Sequence, residues 1–162
     1  MSTTDDVLRN AEQYAARFDK GDLPRPPGRK LAVVACMDAR LIPTKVLGLQ
    51  EGEAHVIRNA GGVVTDDTIR SLAISQHKLG TEEIILIHHT DCGMLTFRDD
   101  DFRAELQDDT GVEPSWAAES FTDLDRDLRE SIERIRNSPF IPNKNVRGFV
   151  FEVETGKLRE VS

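Results

Sequence analysis

The sequence predicts an α/β fold: a central, mostly parallel β-sheet flanked by helices, with a helical arm at the N-terminus and a hairpin at the C-terminus. Two short apolar runs, 30–36 and 83–88, read as strands buried on both faces of a sheet. Segments with helical spacing of apolar residues alternate with the strand-like runs, and that alternation implies parallel pairing. Ligands in such sheets bind beyond the carboxyl ends of the strands.

Residues 4–18 read as a helix. Asp5 and Asp6 lie in its first turn, where acidic groups suit the helix dipole, and Val7, Ala11, Tyr14, Ala15 and Phe18 share a face. Residues 21–28, with Pro24, Pro26 and Pro27, read as an extended arm. A strand at 30–36 follows, then a short helix at 43–49 starting on Pro43. A second strand is expected at 54–58. The helix at 66–79 carries Ile69, Leu72, Ala73 and Leu79 on one side and stops at Gly80. The third strand is 83–88. Further helices are expected at 95–108 and 119–136; in the latter, Leu124, Leu128, Ile132 and Ile135 recur at helical spacing. A strand at 146–153 turns at 154–157, where Thr155-Gly156 supplies the bend, into a short final strand. Two parts are therefore expected: a helix and arm over 1–29 that contacts a second subunit, and a catalytic domain over 30–162.

The chain has 162 residues and a formal net charge of −8, which argues against nucleic acid or an anionic membrane surface as partner. No apolar run approaches bilayer length. Residues 1–6 lack the basic start and apolar core of a signal peptide, so a cytoplasmic location is expected. Two cysteines in such a chain read as ligands, nucleophiles or core residues before they read as a disulfide.

Both cysteines fall in motifs. Cys36-Met-Asp38-Ala-Arg40 follows the first strand, and His89-Thr-Asp91-Cys92-Gly93 follows the third. Two thiolates and an imidazole suit Zn2+, and three protein ligands with a fourth position left over is the count of a catalytic zinc site. Asp38 and Arg40 alternate with Cys36 along an extended segment and point the same way. Asp38 can accept the proton of an activated water, or occupy the fourth metal position and shut the site. Arg40 would hold that carboxylate. Arg58-Asn59-Ala-Gly61-Gly62 is a glycine-bearing turn whose amides can support ligand sulfurs. Gly93 is read as a helix start whose positive end favours the Cys92 thiolate. Asn59, Gly61, Gly62 and Gly93 are accordingly the candidate supports of the metal.

Taken singly, each part has a plainer explanation. A lone cysteine is more often a small buried hydrophobe, and an Asp–Arg pair more often a surface ion pair. It is the combination that is specific. The His-x-x-Cys spacing selects His89 over His88, which lies on the other strand face as a hydrogen-bonded core residue. His55 and His77 read as solvated or satisfied histidines, Asp91 as an orienting or turn residue, and Trp116 and Tyr14 as packing or interface groups.

Cys-x-Asp-x-Arg, Arg-Asn-Ala-Gly-Gly and His-x-x-Cys-Gly, in this order and spacing from about residue 31 to 97, resemble the β-class carbonic anhydrases, and within them the compact bacterial and archaeal branch. The resemblance implies one zinc per subunit on Cys36, His89 and Cys92, with Asp38 and Arg40 as catalytic dyad. It implies a homodimer, sometimes doubled to a tetramer, with the N-terminal helix laid across the partner. The implied reaction is reversible hydration of CO2 to bicarbonate and a proton by zinc-bound hydroxide. Hydrolysis of carbonyl sulfide or carbon disulfide on the same site is the first alternative, and a non-catalytic zinc or redox-sensing module the second.

Overall fold

The computed structural model describes residues 1–162. Ten regular elements form in chain order: α1 (Thr3–Ala15), β1 (Leu31–Cys36), α2 (Pro43–Val46), β2 (Ala54–Asn59), α3 (Asp66–Leu79), β3 (Glu83–His89), α4 (Asp99–Thr110), α5 (Leu124–Asn137), β4 (Asn145–Phe151) and β5 (Leu158–Val161). The five strands make one sheet in the order β2-β1-β3-β4-β5. All neighbours are parallel except β4 and β5, which close an antiparallel hairpin. No helix is long and apolar enough to cross a membrane.

The two sheet faces are covered differently. On one, α3 and α5 supply Leu72, Leu128, Ile132 and Ile135 against Ala32, Val34, Ile84 and Leu86. On the other, Val33, Ala35 and Ile87 are covered by residues of the connections that follow β1, β2 and β3, including Leu41, Val63, Met94 and Phe121. This second cluster also contains Cys36 and Cys92, so both sulfurs sit in packed apolar surroundings. Strand β1 is buried on both sides, as a central parallel strand must be.

Local chemistry explains the boundaries. Ser2 and Asp5 form a reciprocal capping box at the start of α1. The helix ends at Ala15, short of the expected residue 18, and no side chain of it is buried. Thr65 caps α3 and Gly80 ends it with φ 75°. The largest shifts from expectation concern α4 and α5. Residues 93–95 form only a 3-10 turn beside Cys92, and α4 begins four residues later than expected, with three aspartates in its first turn. α5 begins at Leu124, not 119, because Asp123 caps it and Asp99 holds residues 119–120 out of the helix.

Asp99 accepts hydrogen bonds from the Glu119 amide at 3.0 Å, the Ser120 amide at 2.8 Å and the Ser120 hydroxyl at 2.5 Å. Partial burial pushes its carboxyl up, but the Ser120 hydroxyl and the two amides outweigh this and hold it below the usual range. A depressed folded value adds stability above the unfolded value near 3.9, and this is lost as pH falls through the folded value. Wild type should therefore lose stability relative to Asp99→Asn as pH drops from about 5 toward 2, measured by urea unfolding at each pH.

Candidate metal centre and active site

Adjacent strand ends bring the two motifs together. β1 ends at Cys36 and β3 at His89, and the strands are parallel neighbours. Asp91, at φ 53°, turns the chain so that Cys92 faces back. One donor atom from each of Cys36, His89 and Cys92 lies within 4.8 Å of the other two, and all three residues are buried. Neither cysteine is in a disulfide.

His89 Nδ1 lies 2.8 Å from the Thr90 carbonyl oxygen, to which it donates, so Nε2 keeps its lone pair. That Nε2 is buried and has no hydrogen-bond partner. A buried nitrogen without a partner is costly, and a cation at the cluster removes the cost. The sulfurs divide their roles. A hydrogen bond from Cys92 favours the Cys36 thiolate against the effect of burial, helped by His89 and by the amides of Asp38 and Gly61. Cys92 is pushed up, because it donates to Cys36 and because burial disfavours a second anion, while the Met94 amide works the other way. Burial opposes a charged His89, but the Cys36 sulfur, the Thr90 carbonyl and Asp38 together raise it. Two sulfurs and one unpartnered imidazole nitrogen therefore converge as soft and borderline donors in buried surroundings. A borderline-soft divalent ion fits them.

Asp38 lies beside the cluster. Its Oδ2 is 3.7 Å from His89 Nε2, and it is not one of the three clustered donors. Arg40 holds the carboxylate through Nε to Oδ1 at 3.0 Å, Nη2 to Oδ2 at 2.9 Å and its own amide to Oδ1 at 2.8 Å. This bidentate pair keeps Asp38 well below the usual carboxylate range. Arg40 also donates to Asp91 Oδ2 at 2.8 Å and to the Asp91 carbonyl at 2.9 Å, tying the loop after β1 to the loop after β3.

The glycine turn packs under the sulfurs. Gly62 has φ 66°, and a Cβ there would lie 2.8 Å from the Cys36 amide nitrogen and 3.0 Å from the Ile87 carbonyl oxygen. Gly62→Ala should therefore cost about 2 kcal/mol or more, read as a lower urea midpoint. Asn59 Nδ2 donates to the Val63 carbonyl at 2.8 Å and to Thr68 Oγ1 at 3.3 Å, which shapes the turn. Gly93 opens a helix, as expected, but a 3-10 turn of three residues with Cys92 at its cap; the amide that favours a Cys92 anion is that of Met94, and the α-helix α4 starts only at Asp99.

The sequence profile of the carbonic anhydrase family matches residues 31–158. The chain is also 61% identical over 163 residues to Beta-carbonic anhydrase 1 of Mycobacterium tuberculosis, covering 100% of this chain and 99% of that one. The chain belongs to the β-carbonic anhydrases. A crystal structure of a carbonic anhydrase from Streptococcus mutans superposes with a TM-score of 0.93 at 43% identity, covering 100% of this chain and 99% of that one. Carbon disulfide hydrolase of an Acidianus species is 38% identical over 184 residues, covering 96% of this chain and 87% of that one.

Within this β-carbonic anhydrase the remaining histidines take other positions. His88 is fully buried on the opposite strand face, with Nε2 2.7 Å from Asp127 Oδ2 and its ring stacked on Phe121. His55 pairs with the Ser75 hydroxyl at 2.7 Å, and His77 lies 3.0 Å from the Phe140 carbonyl. Trp116 and Tyr14 are exposed; Trp116 packs near Phe102, and Tyr14 donates to Glu51. Two features were not legible in the sequence. The carbonyl and carboxylate of Asp91 both serve Arg40, where sequence spacing leaves Asp91 undecided between orienting and turning. The sequence gives Arg58 no role beyond opening the glycine-bearing turn 58–62, yet its guanidinium reaches the Cys36 carbonyl.

Proposed function

We propose that this chain hydrates CO2 reversibly to bicarbonate and a proton, with zinc held by Cys36, His89 and Cys92. The observation that carries this reading is the buried Cys-His-Cys cluster with an ionised, arginine-held Asp38 at its edge. When bound, zinc supplies Lewis acidity that makes water a nucleophile near neutral pH. The chain's residues do the rest. His89 Nδ1 stays protonated on the Thr90 carbonyl, leaving Nε2 to the metal. The Asp38 and Gly61 amides stabilise negative charge on Cys36. Asp38 Oδ2 accepts a hydrogen bond from the reacting water and aligns its lone pair with the substrate carbon. Arg40 keeps that carboxylate from rotating away.

The relative named carbon disulfide hydrolase favours a second reading, in which the same site hydrolyses carbon disulfide or carbonyl sulfide. Stopped-flow CO2 hydration by the zinc-loaded protein near pH 8.5, with H2S release from both sulfur substrates assayed in parallel, separates the two. Fast CO2 turnover with negligible H2S supports the first reading; efficient H2S release with weak CO2 turnover replaces it with the second.

The assembly we propose is a homodimer in which residues 1–29 contact the partner and residues 30–162 form the catalytic domain. Support comes from α1, which buries no side chain within its own subunit and leaves Val7, Leu8 and Tyr14 more than half exposed, as is Phe18 just beyond it. Two free cysteines suit a reducing compartment, and we place the protein in the cytoplasm.

A further inference from the structure

Arg58 stands at the C-terminal end of β2, opposite Ala35 of β1, on the outer edge of the sheet. Its guanidinium folds back over the loop that leaves β1. Nε donates to the Cys36 carbonyl at 3.0 Å, and Nη2 donates to the carbonyls of Cys36 at 2.7 Å, Asp38 at 2.8 Å and Leu41 at 2.7 Å. Three backbone oxygens of one six-residue loop thus converge on a single cation. Such convergence places three partial negative charges side by side and is favourable only while a positive group sits among them. Few other backbone bonds fix this loop: Met37 donates to the Asn59 carbonyl at 2.8 Å, and Leu41 to the Asp38 carbonyl at 3.1 Å.

The loop carries the Cys36 sulfur, the Asp38 carboxylate and Arg40. Arg40 fixes the Asp38 carboxylate, but Arg40 rides on the same loop and is tied elsewhere only to Asp91. Apart from that link, the side chain from elsewhere in the fold that bonds the backbone of this loop is Arg58. We propose that Arg58 is the positioning residue of this active site: it clamps the carbonyls of Cys36, Asp38 and Leu41 and so fixes the distance of the Asp38 carboxylate from the Cys36–His89–Cys92 cluster. It touches neither substrate nor metal donors and acts through the loop. The inference rests on the reading that Asp38 orients the reacting water.

The test uses the full-length, zinc-loaded protein as wild type, Arg58→Ala, Arg58→Lys and Arg70→Ala. Arg70, on the exposed surface of α3 in an ion pair with Asp67, is the control. Zinc content, amide hydrogen exchange and steady-state CO2 hydration are measured for each. In Arg58→Ala, zinc content is unchanged, exchange quickens in residues 37–41 and not in β1 or β3, and kcat falls about ten- to a hundred-fold with KM within about two-fold. Arg58→Lys retains a cation and recovers part of both losses; it also serves if the alanine variant does not fold. Native exchange in residues 37–41, faster exchange there with unchanged kcat, or loosening spread evenly through β1 and β3 each overturns the proposal. If wild type itself does not hydrate CO2, the functional reading fails separately, and the exchange pattern alone still decides whether Arg58 holds the loop.

Discussion

Cys36→Ser is expected to lose metal and turnover together. The Cys36 sulfur is favoured as a thiolate by Cys92, by His89 and by the amides of Asp38 and Gly61, all aimed at one buried point. A serine hydroxyl there is nearly isosteric, yet it stays protonated near neutral pH and offers a hard oxygen in place of a soft sulfur. The remaining His89–Cys92 pair has too few donors for a stable zinc site. Metal content after dialysis should fall from about one ion per chain to near zero, and CO2 hydration should fall to background. The Cys36 side chain is almost wholly buried among Ala35, Leu41 and Met94, so the variant should keep its fold while losing the metal's contribution to stability. A zinc-replete, active Cys36→Ser protein would remove Cys36 from the ligand set.

The second large effect is expected at Asp38, with the opposite pattern in the metal assay. Asp38→Asn preserves shape, removes the negative charge and replaces one acceptor oxygen with an NH2 group that faces Arg40 as donor to donor. Because Asp38 is not among the three clustered donors, zinc content should be unchanged. Turnover should fall by about a hundred-fold or more, because the acceptor that orients the reacting water is lost. Arg40→Ala should reproduce much of that loss, since Arg40 acts through the carboxylate. The double variant should then be little worse than Asp38→Asn alone, the non-additivity of groups that work as one unit. Additive losses would assign Arg40 a separate role, and full turnover in Asp38→Asn would take Asp38 out of the chemistry.

How much of this was legible beforehand depended on whether a feature is local. The buried strands announced themselves as apolar runs, and α3 came out with the expected bounds because Thr65 and Gly80 cap it through side chain and backbone. The meeting of Cys36, His89 and Cys92 was legible too, since parallel strands deliver their C-terminal ends to one rim of the sheet. The α4 and α5 boundaries were not, because they are set by Asp99 reaching residues twenty positions away. Gly93 does open a helix, as a 3-10 turn of three residues, but the longer α-helix waits for the aspartates at 99–101. Arg58 was illegible in principle. An arginine on an edge strand looks solvated until the fold bends a neighbouring loop over it, and only then do three carbonyls converge on its guanidinium.

The placement of Cys36 and His89 at the tips of β1 and β3 also orders events during folding. The two donors are about fifty residues apart in the chain and meet only after β2 and α3 have been laid down between them. Joining such distant points in a disordered chain is entropically unfavourable, and the pairing of β1 with β3 has to come first. A metal held by the proposed ligands therefore cannot serve as a nucleus for the chain; it would select the finished sheet. By mass action it raises apparent stability with concentration as RT ln(1 + [L]/Kd). The kinetic signature is one-sided: added zinc should slow unfolding and leave the refolding rate almost untouched.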